Sequence, residues 1–136
     1  MDGMSDEPPT CQCGSGDSLA DCCGRFVDAG QAPETAEQLM RSRFTAYCRK
    51  NIDYLVNSTH PDARSKRLRE EIEETAEKIK WTSLEVVSTS QGRAKDKIGK
   101  VEFIADYEFN GERKTHRERS RFRRFQGKWT YLDDRG

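Results

Sequence analysis

An α+β fold is predicted: a short cysteine-rich knuckle, then helices packed on one face of a curved antiparallel sheet. Three features predict it. Four of the five cysteines crowd between positions 11 and 23. Apolar residues then recur at helical spacing as far as Ile79. From Trp81 the period changes to two, and Asn110-Gly111 and Gln126-Gly127 punctuate the apolar runs as turns. A chain of 136 residues suffices for one domain, but its core is lean, with 33% hydrophobic against 35% charged residues.

Charge and composition exclude several classes. The 24 Lys and Arg balance the 24 Asp and Glu, so no global charge favours nucleic acid or an anionic membrane. No stretch approaches the roughly 20 apolar residues of a membrane span. Residues 1–10 are acidic and proline-containing, without the apolar region of a secretory signal, and are expected to be disordered.

Residues 11–24 form the expected knuckle. Cys11, Cys13, Cys22 and Cys23 follow the pattern C-x-C-x8-C-C. A secreted framework would spread its cysteines, and bridging the adjacent Cys22 and Cys23 would strain the bond. Four local thiolates suit one structural zinc ion in a tetrahedral site. An iron–sulfur cluster and a redox-active thiol pair are the alternatives. Gly14 and Gly16 let the chain turn back, so that the second pair of cysteines reaches the metal.

A linker is expected over residues 25–34 and an α+β domain over 35–136. Thr35 and Gln38 have the spacing of a capping box. Ala36, Leu39, Met40, Phe44, Tyr47 and Cys48 then form one apolar helical stripe, with Cys48 a buried inert thiol. Arg41 and Arg43 are expected to face solvent or a carboxylate at the rim. Asn51 ends this helix, and Ile52, Tyr54, Leu55 and Val56 suggest a further short turn of helix. His60 precedes Pro61 and is forced extended. A second long helix is expected over 65–80, burying Leu68, Ile72, Ala76 and Ile79 beneath a solvated acidic face.

Strands are expected over 81–89, 99–109, 113–125 and 128–132. A two-residue turn at Asn110-Gly111 pairs Phe109 with Glu112, and counting sets Glu108 opposite Arg113, Asp106 opposite Thr115 and Glu102 opposite Arg119. The arginine-rich strand is thus largely matched by acids, which weakens an RNA or ribosome contact there. The inner face carries His116, Glu118, Ser120 and Phe122, joined by Trp129 and Tyr131. Phe122 is expected opposite Tyr131 and Ser120 opposite Asp133. Polar groups on a buried face need partners, so these residues form either a structural network or a pocket. His60 is expected near the mouth of that pocket. A His–carboxylate pair can do acid–base chemistry. No nucleophile elbow, phosphate loop or cofactor fingerprint accompanies it, so ligand binding or structure is favoured over catalysis. Catalytic residues are not assigned, and Ser120, His116 and Asp133 do not establish a triad.

Two resemblances extend these expectations. Cys11-Gln12-Cys13-Gly14-Ser15-Gly16 with Cys22-Cys23-Gly24 resembles the SEC-C motif, the zinc knuckle of the SecA translocation ATPase. In SecA that knuckle docks on proteins, which implies a partner-binding role. Positions 39–47, 53–55 and 59–61 resemble the YchJ family of small bacterial proteins, as do His116-Arg117-Glu118-Arg119-Ser120-Arg121-Phe122 and Gly127-Lys128-Trp129-Thr130-Tyr131. That resemblance implies a cone-like, nuclear transport factor 2-like domain. Some members carry a second knuckle near the C-terminus, whereas residues 49–136 contain no cysteine. The leading expectation is a zinc-knuckle adaptor for a protein of the translocation, chaperone or translation machinery. Loss of the knuckle would leave the cone folded. The first alternative is a small-ligand binder or enzyme with a pocket around His116 and Glu118. The second is RNA or ribosome association. A bacterial cytoplasmic location is expected, because thiolates persist there.

Overall fold

Thr35 is extended and its hydroxyl accepts a hydrogen bond from the Gln38 amide, which starts the central helix. The Gln38 side chain reaches back to the Glu34 amide at 2.8 Å, so the capping box closes one residue earlier than its usual form. The computed structural model describes residues 10–136; the expected disorder of residues 1–10 falls almost wholly on residues outside those described. The elements in chain order are α1 (Gly24–Val27), α2 (Ala36–Cys48), α3 (Ile52–Asn57), a 3-10 turn (Pro61–Ala63) and α4 (Leu68–Lys78). Strands β1 (Lys80–Gln91), β2 (Ile98–Phe109), β3 (Glu112–Phe125) and β4 (Lys128–Asp133) follow.

The helices differ from expectation at their ends. Lys50 takes a left-handed conformation that stops α2. Asn51 caps the start of α3, its side chain accepting from the Tyr54 amide. Helix α4 is shorter than the 65–80 expected, because Ile79 is already extended and leads straight into β1. It buries Ile72 and Ala76, and Ile72 joins Ala46 and Leu55 in a small cluster. The segment expected as a linker opens with α1, whose Phe26 is buried.

The sheet is a plain antiparallel meander in the order β1-β2-β3-β4. Asn110 and Gly111 both have positive φ, as the twisted two-residue hairpin requires. Phe109 pairs with Glu112, Glu108 with Arg113, Asp106 with Thr115 and Glu102 with Arg119, and Phe122 faces Tyr131. One expected pairing is corrected. A bulge between Arg121 and Phe122 sets Arg121, not Ser120, opposite Asp133. Asp133 therefore lies with the outer arginines, and Arg121 grips it with Nε and Nη2 at 2.7 and 2.5 Å. That guanidinium holds the Asp133 carboxyl down at about 2.

Helix α2 crosses the inner face of the sheet. Ala36, Leu39, Met40 and Phe44 pack there with Leu84, Val101, Phe103, Ala105, Phe122 and Trp129. The chain after α3 docks on the β4 edge: the Tyr131 amide donates to Ser58 O and the His60 amide to Tyr131 O, both at 2.8 Å. This covers an edge that would otherwise be open to another chain. No helix among the described residues is long and apolar enough to cross a membrane.

Candidate metal centre and cavity

The knuckle is a tight loop followed by a helical turn. Thr10 and Ser18 bridge, the Cys11 amide donates to Asp17 O, and Gly14 and Gly16 turn the chain with positive φ. Cys22 and Cys23 then sit at the entry to α1, with Gly24 N bonded to Leu19 O. The four sulfur atoms all lie within 4.8 Å of one another, and none is in a disulfide. Cys13 and Cys22 are 3.5 Å apart, Cys22 and Cys23 3.9 Å. Tetrahedral zinc with bonds near ~2.3 Å places its sulfurs ~3.8 Å apart, so the donor set fits.

The four close thiols perturb one another. A hydrogen bond from Cys23 draws the Cys13 thiol down to about 4, helped by the Ser15 hydroxyl and amide, while Cys23 is pushed up. Burial pushes Cys22 up, and the Ser15 hydroxyl donates to its sulfur at 3.2 Å. A divalent cation would replace these shared protons and take all four groups as thiolates. Cys48 stands outside the cluster, half-buried, and burial lifts its thiol to about 11.

The knuckle does not stand apart from the cone. Cys11, Cys13, Cys22 and Cys23 are buried in the same apolar cluster as Leu39, Phe44 and Phe103. Arg41 of α2 donates to Cys13 O at 2.8 Å while its Nε holds Glu37. Gly14 lies against β1 so closely that a Cβ there would meet Leu84 O at 2.9 Å. Thr45 Oγ1 is 3.5 Å from Cys11 Sγ. Helix α2 and strand β1 thus clasp the cysteine loop. Whether the cone stays folded without its knuckle, as the sequence leads one to expect, turns on this shared core.

A second centre lies inside the cone, in a cavity of about 180 Å³ between α2 and the sheet. Met40, Phe44, Trp81 and Phe103 form its apolar wall. Glu118 anchors the polar side. One of its oxygens meets His116 Nε2 at 2.9 Å; the other accepts from Ser120 Oγ at 2.5 Å and Tyr131 Oη at 3.3 Å. Burial and the neighbouring Glu118 push the Tyr131 phenol up. His116 is exposed at the mouth. Ser120 donates to Glu118 rather than to His116, and Asp133 points to the outer face, so no Ser-His-Asp geometry forms.

The remaining pocket candidates lie elsewhere. Phe122 is 1% exposed and packs edge-on to Tyr131 as core. Trp129 is buried, its Nε1 donating to Glu34 O at 3.0 Å. His60 is held by β4, its ring against Phe125 and its Nδ1 accepting from the Asp62 amide. None of these three lines the cavity.

Arg43 and Trp81 are among the lining residues that the sequence reading did not assign to a pocket. Arg43 is buried rather than solvent-facing. Its Nη1 donates to Leu55 O, Ser58 Oγ and Thr59 Oγ1 at 2.9, 2.7 and 3.3 Å, and its guanidinium lies 4.7 Å over the Tyr131 ring. The signal was present: position 43 is four residues from Leu39 and three from Met40, on the apolar stripe. Trp81 places its Nε1 in the interior, where it has no hydrogen-bond partner among the described residues.

A family model described as "YchJ, middle NTF2-like domain" matches residues 35–134. A UPF0225 protein of Geobacter sulfurreducens is 43% identical over 126 residues, covering 93% of this chain and 78% of the relative. Two solved structures are similar throughout. A SEC-C motif containing protein from Rhodopseudomonas palustris gives a TM-score of 0.79 at 34% identity, over 90% of this chain and 94% of its own. One from Psychrobacter arcticus gives 0.73 at 27%, over 95% and 82%.

Proposed function

The chain belongs to the YchJ (UPF0225) family, with a SEC-C motif and an NTF2-like domain, and on that premise we propose that it is a small-ligand-binding protein stapled by one structural zinc ion. The observation that carries the ligand reading is the cavity itself: apolar walls from Met40, Phe44, Trp81 and Phe103 converge on a few fixed polar groups. That combination is the usual form of a small-molecule site. An apolar cavity of about 150 Å³ already accepts benzene, so this one is large enough for a compact ligand. Cys11, Cys13, Cys22 and Cys23 would hold the zinc, which supplies cross-linking of the loop rather than chemistry, since four protein ligands leave no open position.

Native mass spectrometry of the zinc-loaded protein, after incubation with compact carboxylates, amines and neutral aromatics, tests this. The expected result is retention of at least one class, weakened about tenfold by His116→Ala at the mouth. Failure of every class to bind the wild type would overturn it.

A second reading, docking of a protein on the knuckle, is favoured by one observation. Gln12 and residues 14–17 are solvent-exposed above the buried thiolates. They would form the contact surface of an adaptor. The outer sheet face gives less support to RNA, because Glu102 takes Arg117, Asp133 takes Arg121 and Asp62 approaches Arg123. A reducing cytoplasm is the compartment in which such a thiolate site persists.

A further inference from the structure

Arg43 is 7% exposed, and no carboxylate lies within ion-pair distance of it among the described residues. Burying an unpaired guanidinium is costly, so its donors should be accounted for one by one. Nη1 is fully used by three neutral acceptors, and the Tyr131 ring takes one face of the plane. Nε and Nη2 have no acceptor among the described residues. Neither is sealed off, since Trp81 Nε1 is the only buried side-chain nitrogen or oxygen among those residues that lacks a partner. Arg43 lines two adjoining spaces: the cavity beneath α2, with its apolar wall, and a more open pocket with Thr59, Glu71 and Asp134.

Those two donors share one edge of the planar group and point the same way, the geometry that matches both oxygens of a carboxylate. The protein shows this match on its own surface: Arg121 uses the same Nε and Nη2 edge to hold Asp133 at 2.7 and 2.5 Å. Glu118 does not fill that role for Arg43. Its oxygens are occupied by His116, Ser120 and Tyr131. Trp81 contributes its ring to the wall of the same cavity, while its Nε1 is sealed in the interior and does not face that space. An unpartnered guanidinium edge beside Met40, Phe44 and Phe103 defines the complement: an anionic acceptor attached to a compact apolar body.

We propose that the cavity is a carboxylate site, in which the Nε/Nη2 edge of Arg43 receives the carboxylate of a small aryl or branched aliphatic acid. The apolar body of the acid lies against Met40, Phe44 and Phe103. The proposal rests on the small-ligand reading above and names its ligand class. A phosphate monoester fits less well, because its second negative charge would enter a cavity that already holds Glu118.

Titration calorimetry on the full zinc-loaded chain, with benzoate, benzyl alcohol and phenyl phosphate as probes, tests it. Benzoate is expected to bind at least about tenfold more tightly than benzyl alcohol, its neutral analogue of similar size. Arg43→Lys keeps the charge but removes the fork, and should cost about tenfold or more. Arg43 also ties α2 to the end of α3, so the wild-type comparison of the probes carries the test if that variant does not fold. Equal affinity for benzoate and benzyl alcohol, or preference for phenyl phosphate, would overturn the carboxylate assignment and leave the small-ligand reading standing. No binding of any probe would likewise overturn it, and failure of the wider ligand classes as well would overturn both.

Discussion

Cys13→Ser is expected to lose the metal and to melt about 10–20 °C below the wild type, a fall corresponding to about 3–5 kcal/mol in a chain of this size. Cys13 is fully buried, and its sulfur lies at the centre of the thiol network. A serine hydroxyl is a poor zinc ligand, so the remaining three thiols would be left buried and partly protonated. The effect should not stay local. Arg41 binds the carbonyl of Cys13, Gly14 touches β1, and the four cysteines share a cluster with α2 and the sheet. Cys48→Ser serves as the control: it lies outside the metal cluster and should keep the zinc. Elemental analysis with scanning calorimetry checks both variants. A Cys13→Ser protein that lost zinc yet melted with the wild type would show that the knuckle is an independent appendage.

Phe122→Ala should destabilise the protein by about 3–5 kcal/mol in urea unfolding, the usual range for removing a fully buried aromatic ring. Phe122 is 1% exposed and meets Tyr131 edge-on at 5.8 Å. Its ring helps to set the position of the Tyr131 side chain, which carries the hydroxyl to Glu118 and lies beneath Arg43. Weaker ligand binding should therefore follow from loss of structure, and should recover in part under stabilising conditions. Val87→Ala, at a site 40% exposed, should change stability by less than about 1 kcal/mol. Similar losses for the two variants would argue against the core placement of Phe122.

Much of the sheet was legible because period-two alternation and the Asn110-Gly111 turn together fix register. With Phe109 opposite Glu112, every pair back to Glu102 and Arg119 follows by counting. Counting fails where one residue is added, so the bulge beside Phe122 moved Asp133 from the pocket side to Arg121. The cysteine cluster was legible from spacing alone. Its docking was not, because two of the contacts that fasten it are made at backbone atoms, Cys13 O and Leu84 O, which carry no sequence signal. Helix α1 is a single turn, too short for any periodic signal. Arg43 was misread because arginine usually marks a solvated face. Its place on the stripe of Leu39, Met40 and Phe44 pointed inward, and burial there is tolerated only because Leu55, Ser58, Thr59 and the Tyr131 ring receive it. The polar side of the cavity was foreseen as His116, Glu118 and Ser120, whereas the buried cation opposite them emerged only from the packing.

Hydrogen exchange with and without a zinc chelator tests the central claim most directly, namely that the cysteine loop is part of the core of the cone. Removing the metal is predicted to lower protection in α2 and β1 as well as in residues 10–27, because Arg41, Thr45 and Leu84 all contact the loop. Loss of protection confined to residues 10–27, with α2 and β1 unchanged, would contradict it.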